Sequence, residues 1–219
     1  MSKIKLNAPT GGGSVSLEAP SSTQSNNNIE FKLPVADGSA GQFMKTDGSG
    51  NLAFAGGGGK FSSYAIIADS KASNADAGTF TSGAWRTRDL NTEFSDEDSI
   101  VSISSNQFTL GTGNYLIEWI CPAYRTSSHS SRLYNVTDST SIQSGYLGYD
   151  NSTEGLSHSL TGGSARISIT GNKVFEIQHR AHTTQNNFGF GVGSSGGLSW
   201  AGSGTDGAIY TLVKIFKEA

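Results

Sequence analysis

Residues 115–121 read Tyr-Leu-Ile-Glu-Trp-Ile-Cys, and residues 208–216 read Ala-Ile-Tyr-Thr-Leu-Val-Lys-Ile-Phe. In an extended chain successive side chains point to opposite sides, so Tyr115, Ile117, Trp119 and Cys121 share one face. The second run is apolar on nearly both faces, which places it at the centre of a sandwich or against another subunit. Working outward from these two, Ala165–Ile169 turns Ile167 and Ile169 inward, and Lys173–His179 does the same with Phe175 and Ile177. Tyr64–Ala68, Ile100–Ile103, Gln107–Leu110 and Leu133–Val136 supply further strands. Short strands with turn signals between them predict an all-β chain, an antiparallel jelly-roll β-sandwich. A parallel α/β fold is excluded because no helical period intervenes.

Composition agrees. The 219 residues include 29 glycines, well above an ordinary usage of about 7%, and only 15% are charged. Glycine costs backbone entropy in a helix, while Ser, Thr and Asn bond their own backbone, so strands and turns are favoured. A net charge of −3 offers no basic face for phosphates, so no nucleic-acid partner is expected. The single cysteine, Cys121, has no internal disulfide partner and reads as a small buried core residue. No stretch reads as a signal peptide, and no apolar run approaches the roughly 18 residues that span a bilayer. The expectation is a chain made in a cytoplasm without membrane insertion.

The composition changes near residue 60. Ile4-Lys5-Leu6-Asn7-Ala8-Pro9 returns as Val15-Ser16-Leu17-Glu18-Ala19-Pro20, two short alternating strands separated by three glycines. Such a strand cannot offset its ordering entropy, about 1–2 kcal/mol per residue, unless it pairs with something. Ile4, Leu6, Val15 and Leu17 are therefore candidate docking residues, expected to pair with other copies or with a neighbouring sheet edge. Ile29–Leu33, Gln42–Lys45 and Leu52–Phe54 read as further strands. Asp47-Gly48 between the last two is a hairpin signal. Residues 1–55 are thus expected to form a small attachment and trimerisation module, 56–60 a glycine linker and 61–219 the head.

The chemistry-bearing patterns fail on context. Gly191-Val192-Gly193-Ser194-Ser195-Gly196 spells a dinucleotide-binding pattern, but no helix follows to receive a pyrophosphate. Gly59-Lys60 is followed by Phe61 where a phosphate loop needs Ser or Thr. His179 and His182 have no patterned carboxylate or thiol beside them, and Asp96-Glu97-Asp98 lacks a calcium loop's alternating ligands. No glycine-framed nucleophile appears. Facing carboxylates for sugar cleavage would have to be assembled by the fold. The chain is therefore expected to be no enzyme, with no catalytic residue, no cofactor and no metal. Tyr146, Tyr149, Phe188, Phe190 and Trp200 sit in Gly/Ser/Asn-rich stretches. Tyr146, Tyr149, Phe188 and Trp200 are the candidates for ligand contact, although such rings also plug the ends of sandwiches. Tyr210, Leu212, Val213, Ile215 and Phe216 are the candidates for a trimer core.

Two stretches carry a resemblance. Phe31-Lys32-Leu33-Pro34, then Asp37-Gly38-Ser39, Gly41-Gln42 and Thr46-Asp47-Gly48, with Gly50, Leu52 and Phe54, resemble a module of virion proteins, tail fibres among them, in marine and cyanobacterial bacteriophages. "WRTRDLNT", "GNYLIEWICPAYRTSSHSSRLYNVTDST", "KVFEIQHRA" and "IYTLVKIFKE" are similar to the terminal heads of phage fibres. Those heads share the pattern of the tumour-necrosis-factor and complement globular-head sandwiches. The resemblance implies a homotrimeric virion protein, either a short tail fibre that adsorbs to the host surface or a capsid decoration protein that clamps capsid subunits. Its implied partners are copies of itself, a capsid or tail protein, and a host glycan or surface protein.

Overall fold

The computed structural model describes residues 3–7, 12–18, 20–23, 25, 27–56, 59–72, 75–151, 153, 157–193 and 207–219. The chain divides into two compact units, Met1–Gly58 and Gly59–Ala219.

In the first unit, β1 (Lys3–Asn7) and β2 (Ser14–Glu18) pair with each other, antiparallel, with Ile4 opposite Leu17 and Leu6 opposite Val15. The two Ala-Pro strands are thus one hairpin, where each was expected to find its partner outside. The polar set, Lys5 with Ser16, lies on the other side of this ribbon. A second hairpin joins β3 (Gln42–Thr46) to β4 (Leu52–Gly56). Its turn is organised by Asp47, whose carboxylate accepts from Ser49 N, Asn51 N and Asn51 Nδ2 at 2.7, 3.2 and 2.6 Å. These bonds, the Asn51 amide foremost, hold the Asp47 carboxyl below the usual range. Gly50 needs its missing side chain here: φ is +91° and a Cβ would lie 2.6 Å from the Glu30 carbonyl oxygen. The strand expected over Ile29–Leu33 does not form. Only Lys32 is tied in, by a bridge to Asn51, because Gly50 O and Leu52 N consume its two backbone groups.

The second unit is a sandwich. Its strands are β5 (Phe61–Lys71), β6 (Arg86–Thr87), β7 (Thr92–Ser95), β8 (Val101–Ser104), β9 (Gln107–Leu110), β10 (Gly113–Tyr124), β11 (Ser128–Asn135), β12 (Thr140–Tyr149), β13 (His158–Ile169), β14 (Lys173–Ala181) and β15 (Ala208–Glu218). One sheet has the order β13-β10-β15-β5-β7, the other β12-β11-β14-β9-β8, with β6 paired to β14. All strand pairs are antiparallel. Between β9 and β15 the chain changes sheet at every connection except the β11–β12 hairpin, which is the winding of a jelly roll. No α-helix occurs among the described residues.

The core lies between the sheets. Tyr115, Ile117, Trp119 and Cys121 enter it from β10, Ile167 from β13, Phe175 and Ile177 from β14, Val213 and Ile215 from β15. The strand apolar on both faces, β15, lies at the centre of its sheet, flanked by β10 and β5. Phe108 stacks on Phe175 with ring centroids 5.7 Å apart. Asp96 closes the turn before β8 by accepting from Ile100 N and Val101 N.

Candidate functional site

If the odd residues of β10 fill the core, Leu116, Glu118 and Ile120 must face outward. Register extends this into rows across the first sheet of the sandwich. Ile120 lies beside Leu212 and Gly162; Glu118 beside Lys214 and Ser164; Leu116 beside Phe216 and Arg166. On the far side of β15, Phe216 lies beside Tyr64 and Lys214 beside Ile66. Two apolar rows thus flank one charged pair. Tyr64 is 51% exposed, Ile120 41% and Leu160 54%, with Phe61 and Phe94 also exposed.

A groove of about 440 Å³ runs along this face between Glu118, Ile120, Tyr146, Leu160, Leu212 and Lys214, over Gly162 and Gly163. Glu118 is the one carboxylate among its lining residues, so the groove does not present the facing pair that sugar hydrolysis needs. Among the described residues, no cluster of three or more His, Cys, Asp or Glu side chains is placed to hold a metal ion.

The groove's outer wall belongs to a seam where the edge strands of the two sheets meet. Trp119 Nε1 donates to Ser131 Oγ at 2.8 Å, Ser131 and Thr161 hydroxyls lie 3.2 Å apart, and Thr161 Oγ1 donates to Tyr146 O at 2.5 Å. Four glycines let the strands approach. A Cβ on Gly145 would strike Gly162 O at 2.6 Å, and one on Gly163 would strike the Trp119 ring at 2.6 Å; Gly162 meets Trp119 O, and Gly148 meets the His129 ring. Next along the seam, His129 Nδ1 lies 2.9 Å from His179 Nε2, and His129 Nε2 lies 2.6 Å from Ser159 Oγ. Burial holds both imidazoles below their ordinary value, His129 at about 4, with the Arg88 guanidinium adding to the effect.

Arg88 is buried on the same side. Its Nε donates to Thr211 Oγ1, and Nη1 and Nη2 reach the carbonyls of Pro122, Phe190 and Tyr210. The Phe190 ring lies 4.4 Å from its Cζ.

The expected site residues fall into several groups. Ile4, Leu6 and Leu17 are exposed on one side of the first hairpin. Tyr146 and Tyr149 are exposed but belong to β12, a regular strand and not the expected loop. Thr140–Tyr149 offers Ser, Gly and Gln between its apolar positions, so alternation is hidden. Phe188 is half-buried and meets the Tyr124 ring edge-on at 5.4 Å. Phe190 stacks on Phe80 at 4.3 Å. Trp200 lies outside the described residues. Tyr210, Val213 and Ile215 fill the head's own interior, while Leu212 and Phe216 point out of it. Burial pushes the Tyr210 phenol up to about 12, and its hydroxyl donates to Ala75 O at 2.5 Å. Sequence reasoning missed the seam because its Ser, Thr, His and Gly residues look like turn material; the signal was that His129 and Ser131 continue the face of Leu133, and Thr161 and Gly163 that of Ala165, at every second residue.

No protein-family model matches the chain, and no curated protein matches it. Among solved structures it is similar to the globular domain of a zebrafish complement 1qA protein, with 16% identity and a TM-score of 0.42, over 71% of this chain and 96% of that one. It is similar to the PRD1 vertex protein P5, with 11% identity and a TM-score of 0.46, over 74% of this chain and all (100%) of that one. The Eiger TNF of S. frugiperda is similar at 10% identity and a TM-score of 0.42, over 71% and 92%.

Proposed function

We propose that this chain is a structural protein of a bacteriophage particle: a short homotrimeric fibre that attaches through its first unit and presents its jelly-roll head to the host surface. The observation that carries the reading is the pair of outward apolar surfaces. One is the row of Tyr64, Phe216 and Leu116 with Ile120 and Leu212 on the head. The other is the hairpin face of Ile4, Leu6 and Leu17. Surfaces of this kind favour association, and burying them against copies or a particle protein releases roughly 25 cal/mol per Å².

In this reading the residues of β15 divide their labour. Val213 and Ile215 hold the head together, and Leu212 and Phe216 contact the next copy. Residues 1–55 dock to a capsid or tail protein, and residues 56–60 join them to the head. Tyr146 and Tyr149 are the exposed rings available to a host glycan or surface protein. Three heads on one fibre multiply a weak single-site affinity by about 10²–10⁴. The function is binding, and it needs no catalytic group or cofactor. Decoration of a capsid lattice through the same hairpin is the second reading. The resemblance of residues 31–54 to a module found in several virion proteins supports it.

The deciding experiment is the mass of the full chain at micromolar concentration by light scattering, followed by copy number per particle. Three chains are expected. A well-behaved monomer overturns self-association, and a copy number in the hundreds favours the capsid over the tail.

A further inference from the structure

We propose that the His129–His179 pair is an acid-sensitive latch on the β12–β13 seam, holding the outer wall of the groove closed while both imidazoles are neutral and releasing it when the pair takes up a proton. For its effect on assembly the inference rests on the self-association reading above; the latch itself rests on the geometry of the seam.

The pair touches four strands, β11 to β14. His129 projects from β11 onto His179 of β14, bonds Ser159 of β13, and lies against the backbone of Gly148 in β12, where a Cβ would collide with its ring. Both rings are sealed, and Phe80 packs against His179 at 4.7 Å. Tracing the protons shows why the site resists a further one. Two neutral rings can donate in sequence, His179 Nε2–H to His129 Nδ1 and His129 Nε2–H to Ser159 Oγ, leaving a lone pair on His179 Nδ1. That atom has no hydrogen-bond partner among the described residues. Wherever an added proton enters, relaxation of the chain leaves one N–H at Nδ1 with nothing to receive it, in a buried position where an orphan donor is costly.

The surrounding charges oppose the same proton. Arg88, on the segment after β6, is buried and answered by carbonyls and a hydroxyl, with no ion pair among the described residues. His158 at the start of β13 is exposed at its surface, and partial desolvation of its ring lowers it from its ordinary value. Asp150, following β12, interacts with His158 and spends one oxygen on Thr126 N at 2.7 Å. Cys121 on β10 is kept neutral by burial, and Ser159, Gly148 and Phe80 carry no charge. The sign follows. The unfolded chain binds a proton at His129 near pH 6.5 and the folded head only at about 4, so stability is full above 6.5 and declines as pH falls from 6.5 to 4. Asp150 and Asp69, both raised by burial, work the other way and offset part of the loss towards pH 4.

The test uses the full chain from pH 8 to 4. Histidine resonances followed by NMR should show His129 and His179 resisting titration well below 6.5. Hydrogen-exchange protection factors should fall in 140–149 and 158–161 before they fall in 113–121. His129 alone should raise the unfolding constant on the order of 100-fold between pH 7 and 4. A His179→Gln substitution should flatten that rise; if the variant does not fold, the wild-type resonances and exchange decide alone. Titration of both rings near 6.5 in an intact head, or unchanged protection of 140–149 at pH 4.5, overturns the latch. A chain that is monomeric at pH 7 yet loses protection in 140–149 on acidification defeats self-association and supports the latch. A trimer that keeps its protection defeats the latch alone.

Discussion

Phe43 and Met44 on β3 and Tyr115, Ile117 and Trp119 on β10 all lie on paired antiparallel strands, yet the first two are exposed and the other three are buried. The difference is the presence of a second layer. A sheet buries an apolar face only against another element, and an isolated two-stranded hairpin is marginal in water. The head supplies that layer from its own chain: Phe175 and Ile177 close over Ile117 and Val213. In the first unit Ile4, Leu6, Leu17, Phe43 and Met44 all remain exposed. One region is therefore a finished domain. The other leaves its apolar faces uncovered.

The largest effect that separates them is a core truncation. Phe175→Ala removes a fully buried ring stacked on Phe108 and should cost about 3–5 kcal/mol, a large share of a typical total of about 5–15 kcal/mol. Phe43→Ala, at an exposed side chain, should leave the melting temperature of the head unchanged by circular dichroism. Comparable losses of melting temperature for the two variants would break the comparison.

Acid is the next way to separate the regions, because all four histidines, His129, His158, His179 and His182, lie in the head and none in residues 1–58. With His129 at about 4 against 6.5, the head should lose about 2–3 kcal/mol between pH 6.5 and 4. Urea titrations at stepped pH read this directly. A head midpoint that stays flat through that window would remove the difference.

Substitution at Gly50 acts on the first unit alone. Alanine there meets both a left-handed backbone and the Glu30 carbonyl, so Gly50→Ala should cost the β3–β4 turn about 1–3 kcal/mol. Faster amide exchange in 42–56 with an unchanged head melt is the expected result. Seam packing offers the counterpart: Gly163→Ala drives a methyl into the Trp119 ring and should lower the head's melt, with no change in 42–56.

Strand pattern decided how much of this was legible beforehand. Tyr115–Cys121 and Ala208–Phe216 declare themselves because large apolar residues alternate or fill both faces. The Asp47-Gly48 turn was legible for a similar reason, since its chemistry is local. The partner of the first strand was not, because pairing of β1 with β2 competes with pairing to any other edge and the chain prints no preference. Ile29–Leu33 has strand composition, but only Lys32 finds backbone partners. The groove and its charged row depend on register: Glu118 and Lys214 are 96 residues apart and become cross-strand neighbours because Trp119 is opposite Val213. His129, Ser131 and Thr161 face inward as a polar ladder, and polar residues at core positions look like loops until their partners are placed.

The smallest expected effect bears on which surfaces matter. Arg166 makes a bidentate pair with Glu218, at 2.7 Å to each carboxylate oxygen, and this pair holds the Glu218 carboxyl low and the Arg166 guanidinium high. Arg166 is well exposed in the single chain, and exposed pairs contribute little because water and salt screen them. Arg166→Ala should therefore leave the melt of a dilute, dissociated head where it was. Yet Arg166 stands in the row of Leu116, Phe216 and Tyr64. If that row is covered by a second copy, the same pair is desolvated on association and its loss should shift the mass distribution in a salt-sensitive way. Sedimentation of the variant at low and high salt separates the two cases. No change in either measurement would mean that no second copy covers this end of the outward face.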